Sequence, residues 1–166
     1  MAQEQNAMTK PAAVQDAISL LKSDHRKAKA LFEEYEHKKE SASPEEKFEL
    51  AKKVCGDLLI HMALEEGIFY PAVRTGIDDD EIMNEAQVEH DGAKNLIIQL
   101  GELKPDDPMF DAKIIVLSEQ VDHHVDEEEK TMFPKVQASK IDIDALGQAL
   151  LEAKLDMRRR LGVTEE

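Results

Sequence analysis

One arrangement of residues occurs twice in this chain: a lone histidine, a long gap, then His-x-x-x-Glu. His25 stands 36 residues before His61 (25 to 61) and Glu65, and His90 stands 34 residues before His124 (90 to 124) and Glu128. The flanks repeat as well. Asp24-His25-Arg26-Lys27-Ala28-Lys29 matches Glu89-His90-Asp91-Gly92-Ala93-Lys94. Likewise His61-x3-Glu65-Glu66-x3-Tyr70-Pro71 matches His124-x3-Glu128-Glu129-x3-Phe133-Pro134. Imidazoles and carboxylates gathered in this way form the ligand set of a transition-metal site, here one suited to two ions.

Strand signals are weak and helical periodicity is strong throughout. Val14, Ile18, Leu21, His25, Ala28, Phe32 and Tyr35 recur at three- and four-residue steps and set a first helix over about residues 12–39. Ser41-Ala42-Ser43-Pro44 breaks the chain, with Ser43 as the N-cap and Pro44 at the first helical position. In the second helix Phe48, Ala51, Cys55, Leu58, His61, Glu65, Ile68 and Phe69 share one side, up to the break at Arg74-Thr75-Gly76. The third begins near Asp79, with Ile82, Met83, Ala86, His90, Ala93, Ile97, Leu100 and Leu103 on its stripe. Lys104-Pro105-Asp106-Asp107-Pro108 ends it. The fourth carries Phe110, Ile114, Leu117, Val121, His124, Glu128 and Met132, and an amphipathic segment over residues 141–161 makes a fifth. Long helices with short connections predict an all-α fold: an antiparallel up-down-up-down four-helix bundle over 12–138 with an additional C-terminal helix. The length fits a single domain over 1–166, with residues 1–11 a flexible tail.

In an antiparallel hairpin, residues equidistant from the turn sit at the same height. The midpoint of His25 and His61 is residue 43, that of His90 and His124 is residue 107, and that of His61 and His90 falls between Thr75 and Gly76. All three lie in breaks, so the four histidines are expected at one level of the bundle.

Each His-x-x-x-Glu is an i, i+4 pair on one helix face, and those faces are the apolar ones. A carboxylate buried there is costly unless paired or bound to metal. Two facing carboxylates repel, so without a cation one of them is expected to hold a proton. A pair of divalent or trivalent ions removes both problems and can be bridged by both. Other polar residues read more plainly. His37 is expected in solvent and His123 at the surface or behind His124. Asp126-Glu127-Glu128-Glu129 reads as an acidic face with Glu128 alone turned inward. Arg158-Arg159-Arg160 complements a helix dipole. Cys55, the single cysteine, reads as an apolar filler.

The net charge of −15 argues against nucleic acid and against anionic membrane surfaces as partners. No segment reaches the run of about 18 apolar residues that spans a bilayer. Met1 to Pro11 has no apolar stretch of a secretory leader, and a lone cysteine fits a reducing compartment, so the expected location is the cytoplasm.

The chain resembles the hemerythrin-like (HHE, cation-binding) family: His on helix one, His-x-x-x-Glu on helix two, His on helix three, and a His-plus-carboxylate motif on helix four. The resemblance covers about residues 12–138. It implies a left-handed four-helix bundle around two non-haem irons joined by an oxo or hydroxo bridge. His25, His61, His90 and His124 would be terminal ligands, with Glu65 and Glu128 bridging. It also implies O₂, peroxide, nitric oxide or iron-related roles. Two departures stand out. Oxygen carriers have a second His four residues along helix three, where this chain has Lys94; water, Glu66, Glu89 or Glu127 are candidates for the position so left open. Carriers also close the site with His-x-x-x-x-Asp, where this chain offers Glu128 at i+4 and Glu129 at i+5; the repeat and the stripe favour Glu128. The expected function is binding of, or reaction with, O₂, peroxide or NO at a site in a small apolar pocket. Iron handling (storage, delivery or repair) and peroxide decomposition as an enzyme are the alternatives, in a monomer or weak dimer.

Overall fold

The computed structural model describes residues 15–163. Residues 1–11, read as a tail, and 12–14, read as the first turn of helix one, lie outside the described residues. Helix α1 spans Ala17–Lys38 and starts later than the periodicity suggested. Gln15 is not helical, and Asp16 is an N-cap in extended conformation whose side chain accepts from the Ser19 N–H. Helix α2, Pro44–Leu64, opens with a capping box in which Ser43 and Glu46 satisfy each other's backbone N–H groups. The same helical body continues through a π-turn at Glu65–Phe69 into α3, Tyr70–Gly76. Helix α4 spans Asp80–Glu102 and α5 spans Pro108–Glu127. A second π-turn at Glu128–Met132 leads into α6, Phe133–Ala138. Helix α7, Ile143–Leu161, is capped by Asp142 and ends on Gly162 at φ 66°, in the left-handed region. Among the described residues there is no strand. The α2–α3 and α5–α6 bodies each count as one rod, so the molecule is four long helical rods with α7 packed beside α1 and α2. Among the described residues no helix is long and apolar enough to cross a membrane.

The interior consists of two apolar clusters. One is built from residues such as Leu21, Leu64, Phe69, Met83, Phe133, Val136 and Leu150. The other is built from Phe32, Tyr35, Val54, Leu58, Leu100, Phe110, Ile114 and Leu117. Along α1 the first ends at Leu21 and the second begins at Ala28; along the α5–α6 rod the second ends at Leu117 and the first resumes at Met132. Among the described residues, every buried polar or charged one falls in the gap: His25, His61, Glu65, His90, His124 and Glu128. One polar layer is thus closed above and below by hydrocarbon. Phe48, expected on the apolar stripe, is 41% exposed. Cys55 is half-buried against the second cluster, and burial pushes its thiol up to about 11, which suits a filler rather than a nucleophile.

Candidate metal centre

The six repeated residues meet in that layer. The His25 and His61 rings lie 4.9 Å apart and the His90 and His124 rings 4.7 Å apart, so the common height expected from the turn midpoints is present. His25, His61, Glu65 and Glu128 form one group of four donors, and Glu65, His90, His124 and Glu128 form another. Within each group the candidate donor atoms lie within 4.8 Å of one another.

Each carboxylate straddles the two groups. Glu65 turns Oε1 to His61 Nε2 (3.0 Å) and Oε2 to His90 Nε2 (3.0 Å). Glu128 turns Oε2 to His25 Nε2 (3.2 Å) and Oε1 to His124 Nε2 (3.1 Å). Two carboxylates therefore each offer one oxygen to each of two positions, and every imidazole points Nε2 inward.

The outward nitrogens are held in a ring. Asp24 on α1 meets Nδ1 of His61 on α2 (3.2 Å), and Glu66 at the end of α2 meets Nδ1 of His90 on α4 (2.9 Å). Glu89 on α4 meets Nδ1 of His124 on α5 (3.0 Å), and Glu129 at the end of α5 meets Nδ1 of His25 on α1 (2.9 Å). Each helical rod supplies the carboxylate for the histidine of the next, and the circle closes. A carboxylate on Nδ1 fixes the tautomer that leaves Nε2 free as a ligand. Glu66 and Glu89, weighed for the open position, and Glu129, weighed against Glu128, are turned to this outer role. Glu127 lies 3.3 Å from the exposed His123. His37 is exposed, as expected.

Sequence reasoning passed over Tyr70. Its hydroxyl donates to Glu128 Oε1 (2.5 Å), lies 3.2 Å from Glu65 Oε2 and from His90 Nε2, and 3.4 Å from His124 Nε2. It stands in the His90–His124 group. Phe133, its counterpart in the repeat, carries no hydroxyl and stacks on His25 at 5.9 Å and 3°. The π-turns aim both rings. In each, the N–H of the aromatic residue bonds five residues back, Tyr70 to the Glu65 carbonyl and Phe133 to that of Glu128. The following residue is Pro71 or Pro134, which has no N–H to donate. One inserted residue turns the helix by about 100°, and such turns recur at functional sites. The signal was the repeated Glu-x5-Pro.

In the absence of metal the expectation that one facing carboxylate holds a proton is corrected. Burial raises Glu65, but His61, His124 and His90 around it outweigh this and hold it well below the usual carboxylate range. Burial and the nearby Glu65 charge both raise Glu128, yet His124 and His25 bring it below its ordinary value. The protons sit on imidazoles instead. Burial disfavours the His61 imidazolium, but Glu65, Asp24 and Glu128 overcome it and raise His61 to about 10. His124 is raised in the same way, chiefly by Glu128 against the cost of burial.

Buried atoms without a hydrogen-bond partner test whether metal fits. His25 Nε2, His61 Nε2, Glu65 Oε1 and Glu128 Oε2 are all fully shielded and make no well-formed hydrogen bond, facing only one another as His61–Glu65 at 3.0 Å and His25–Glu128 at 3.2 Å. They are the four donor atoms of the His25–His61 group. Leaving such atoms without a well-formed hydrogen bond is costly, and an ion among them satisfies all four. The donor set of imidazoles and carboxylates is one that first-row transition ions accept. The site can hold a di-metal centre.

The chain is 29% identical over 153 residues to a protein named DNA nickase from Nostoc sp. (strain PCC 7120 / SAG 25.82 / UTEX 2576), covering 90% of this chain and 41% of that protein. The chain thus spans less than half the length of that relative. Its fold matches the crystal structure of a hemerythrin HHE cation binding domain-containing protein from Mycobacterium kansasii with a TM-score of 0.73. That match is at 22% identity and covers 88% of this chain and 89% of the other. The family model of the hemerythrin HHE cation binding domain matches residues 16–136, from the N-cap of α1 through α6. The chain belongs to the hemerythrin HHE cation-binding domain family.

Proposed function

We propose that this chain is a di-iron protein that binds or reacts with O₂, peroxide or NO. In this reading His25, His61, His90 and His124 are terminal ligands and Glu65 and Glu128 bridge the pair. The observation that carries the proposal is the set of four fully buried donor atoms on His25, His61, Glu65 and Glu128, which converge on one point and make no well-formed hydrogen bond. When bound, an iron pair supplies electrons to a small oxidant. The protein's own part is to orient four Nε2 atoms through the ring of Nδ1 carboxylates and to exclude bulk water with two apolar clusters. Tyr70 adds a hydroxyl beside the His90–His124 position, where it can hold or pass a proton at Oη.

The layer's closure favours a resident centre over one that exchanges metal with partners. The same closure limits substrates to diatomics and peroxide. Lys94 occupies the place where an oxygen carrier has a further imidazole, and its ammonium sits 2.6 Å from Glu66 rather than in the site. This supports oxidant reaction over reversible carriage. We assign no nucleic-acid role to the chain: a net charge of −15 opposes phosphate binding. We also infer a cytoplasmic protein, from its single cysteine. Anaerobic reduction of the iron-loaded protein, followed by separate O₂ and H₂O₂ additions watched optically, tests the function. Oxidation by either without a recoverable adduct is expected. A stable adduct that releases O₂ on degassing would make it a carrier, and no response to either reagent would refute the proposal.

A further inference from the structure

Two lysines reach the outer ring of the centre. Lys154 of α7 pairs with Oδ1 of Asp24, whose Oδ2 meets His61 Nδ1. Lys94 of α4 bonds both oxygens of Glu66 at 2.6 Å, and Glu66 Oε1 meets His90 Nδ1. The two histidines belong to different metal positions, His61 to the first group and His90 to the second. Lys154 and Asp24 are mostly shielded, with side chains 14% and 12% exposed, so their pairing is screened less than a surface ion pair.

Helix α7 lies beyond the 16–136 span matched by the family model, yet it is fixed against the bundle. A side chain at Gly147 would run into the backbone of Gln15, Asp16 and Ala17, so the helix packs closely on the start of α1. Arg158 bonds Asp57 on α2 at 3.3 Å. Between these anchors lies a cavity of about 20 Å³, room for about one water, whose lining includes Asp24, Lys27, Asp57, His61, Lys154 and Arg158. There is little space for Asp24 to swing away from His61 while Lys154 holds its other oxygen.

We propose that Lys154 and Lys94 are positioning residues, one for each metal position. Each locks the carboxylate that orients one inward-facing histidine, and α7 is thereby a working part of the centre. This rests on the di-metal reading above. Loss of an outer partner of a ligating histidine weakens metal binding about 10- to 100-fold.

The test uses the full chain loaded with Co²⁺ alone, its visible bands followed as excess chelator removes the metal. The wild type is expected to hold two equivalents and release both slowly. In Lys154→Met one equivalent should leave about tenfold faster with shifted cobalt bands. Lys94→Met should do the same for one equivalent, and the double variant for both. Lys154→Arg should restore slow release. Arg160→Met, which removes only the exposed pair with Asp156 on α7, should behave as wild type. Wild-type release in Lys154→Met and Lys94→Met overturns this inference alone, as does equal acceleration by Arg160→Met and Lys154→Met. A wild-type chain that takes up no cobalt overturns the di-metal reading and this inference with it.

Discussion

Tyr70 and Glu128 come from different helical rods and meet in a 2.5 Å hydrogen bond at the centre of the protein. Both are buried, and the hydroxyl partners carboxylate oxygens of both residues proposed as bridges, Glu65 and Glu128. In the metal-free chain Tyr70→Phe removes a donor from buried carboxylates and should cost about 1.5–3 kcal/mol. With metal bound the carboxylates have another partner, so the cost should shrink. Denaturation of both proteins with chelator and with iron measures the difference. An equal loss in both states would show that Tyr70 supports the fold independently of the centre.

Metal uptake should release protons. At pH 7 the metal-free site holds protons on His61, raised to about 10, and on His124, raised well above its ordinary 6.5. A ligand nitrogen must be free, so binding should expel about two protons, one from each. An indicator dye in weakly buffered solution reads this directly. Uptake without proton release would mean that the imidazoles are neutral before metal arrives.

The same groups set a pH dependence of opposite sign in the two states. The raised pKa of His61 contributes stability that is fully present below 6.5 and is lost as pH rises through about 10. The lowered Glu65 and Glu128 contribute stability present above their ordinary 4.5 and lost as pH falls below it. The melting temperature of the metal-free protein should therefore decline from pH 6.5 towards 10. That of the metal-loaded protein should not, because deprotonation there favours the ligand form.

Gly147 gives a test of α7 docking. Alanine is the better helix former by about 1 kcal/mol, so an exposed glycine replaced by alanine gains stability. Here the added Cβ meets the backbone of Gln15, Asp16 and Ala17. Gly147→Ala should instead lose about 1–3 kcal/mol in chemical denaturation. A stabilised variant would place α7 away from the start of α1.

Much of the centre was legible because its geometry is written in spacing. The turn midpoints brought four histidines to one height, and the stripe through Leu117, Val121 and Met132 chose Glu128 over Glu129 as the inward residue. The same repeat contained the outer ring unread: Asp24-His25 with Glu89-His90, and Glu65-Glu66 with Glu128-Glu129. Each pair sends one residue inward and its neighbour to the next rod. Which histidine a carboxylate serves depends on how rods pack side by side, and periodicity within one helix is blind to that. The role of Tyr70 was hidden for a related reason. An unbroken α-helix gives that residue a different angle, and only the π-turn before Pro71 swings its ring into the layer.

Metal content tests the central claim most directly. The chain reconstituted anaerobically with Fe²⁺, passed through a desalting column and assayed for iron and protein, should hold two irons per chain. Replacing Glu65 and Glu128 together by Gln should abolish that uptake. One ion per chain, or none, in the folded wild type would contradict the account.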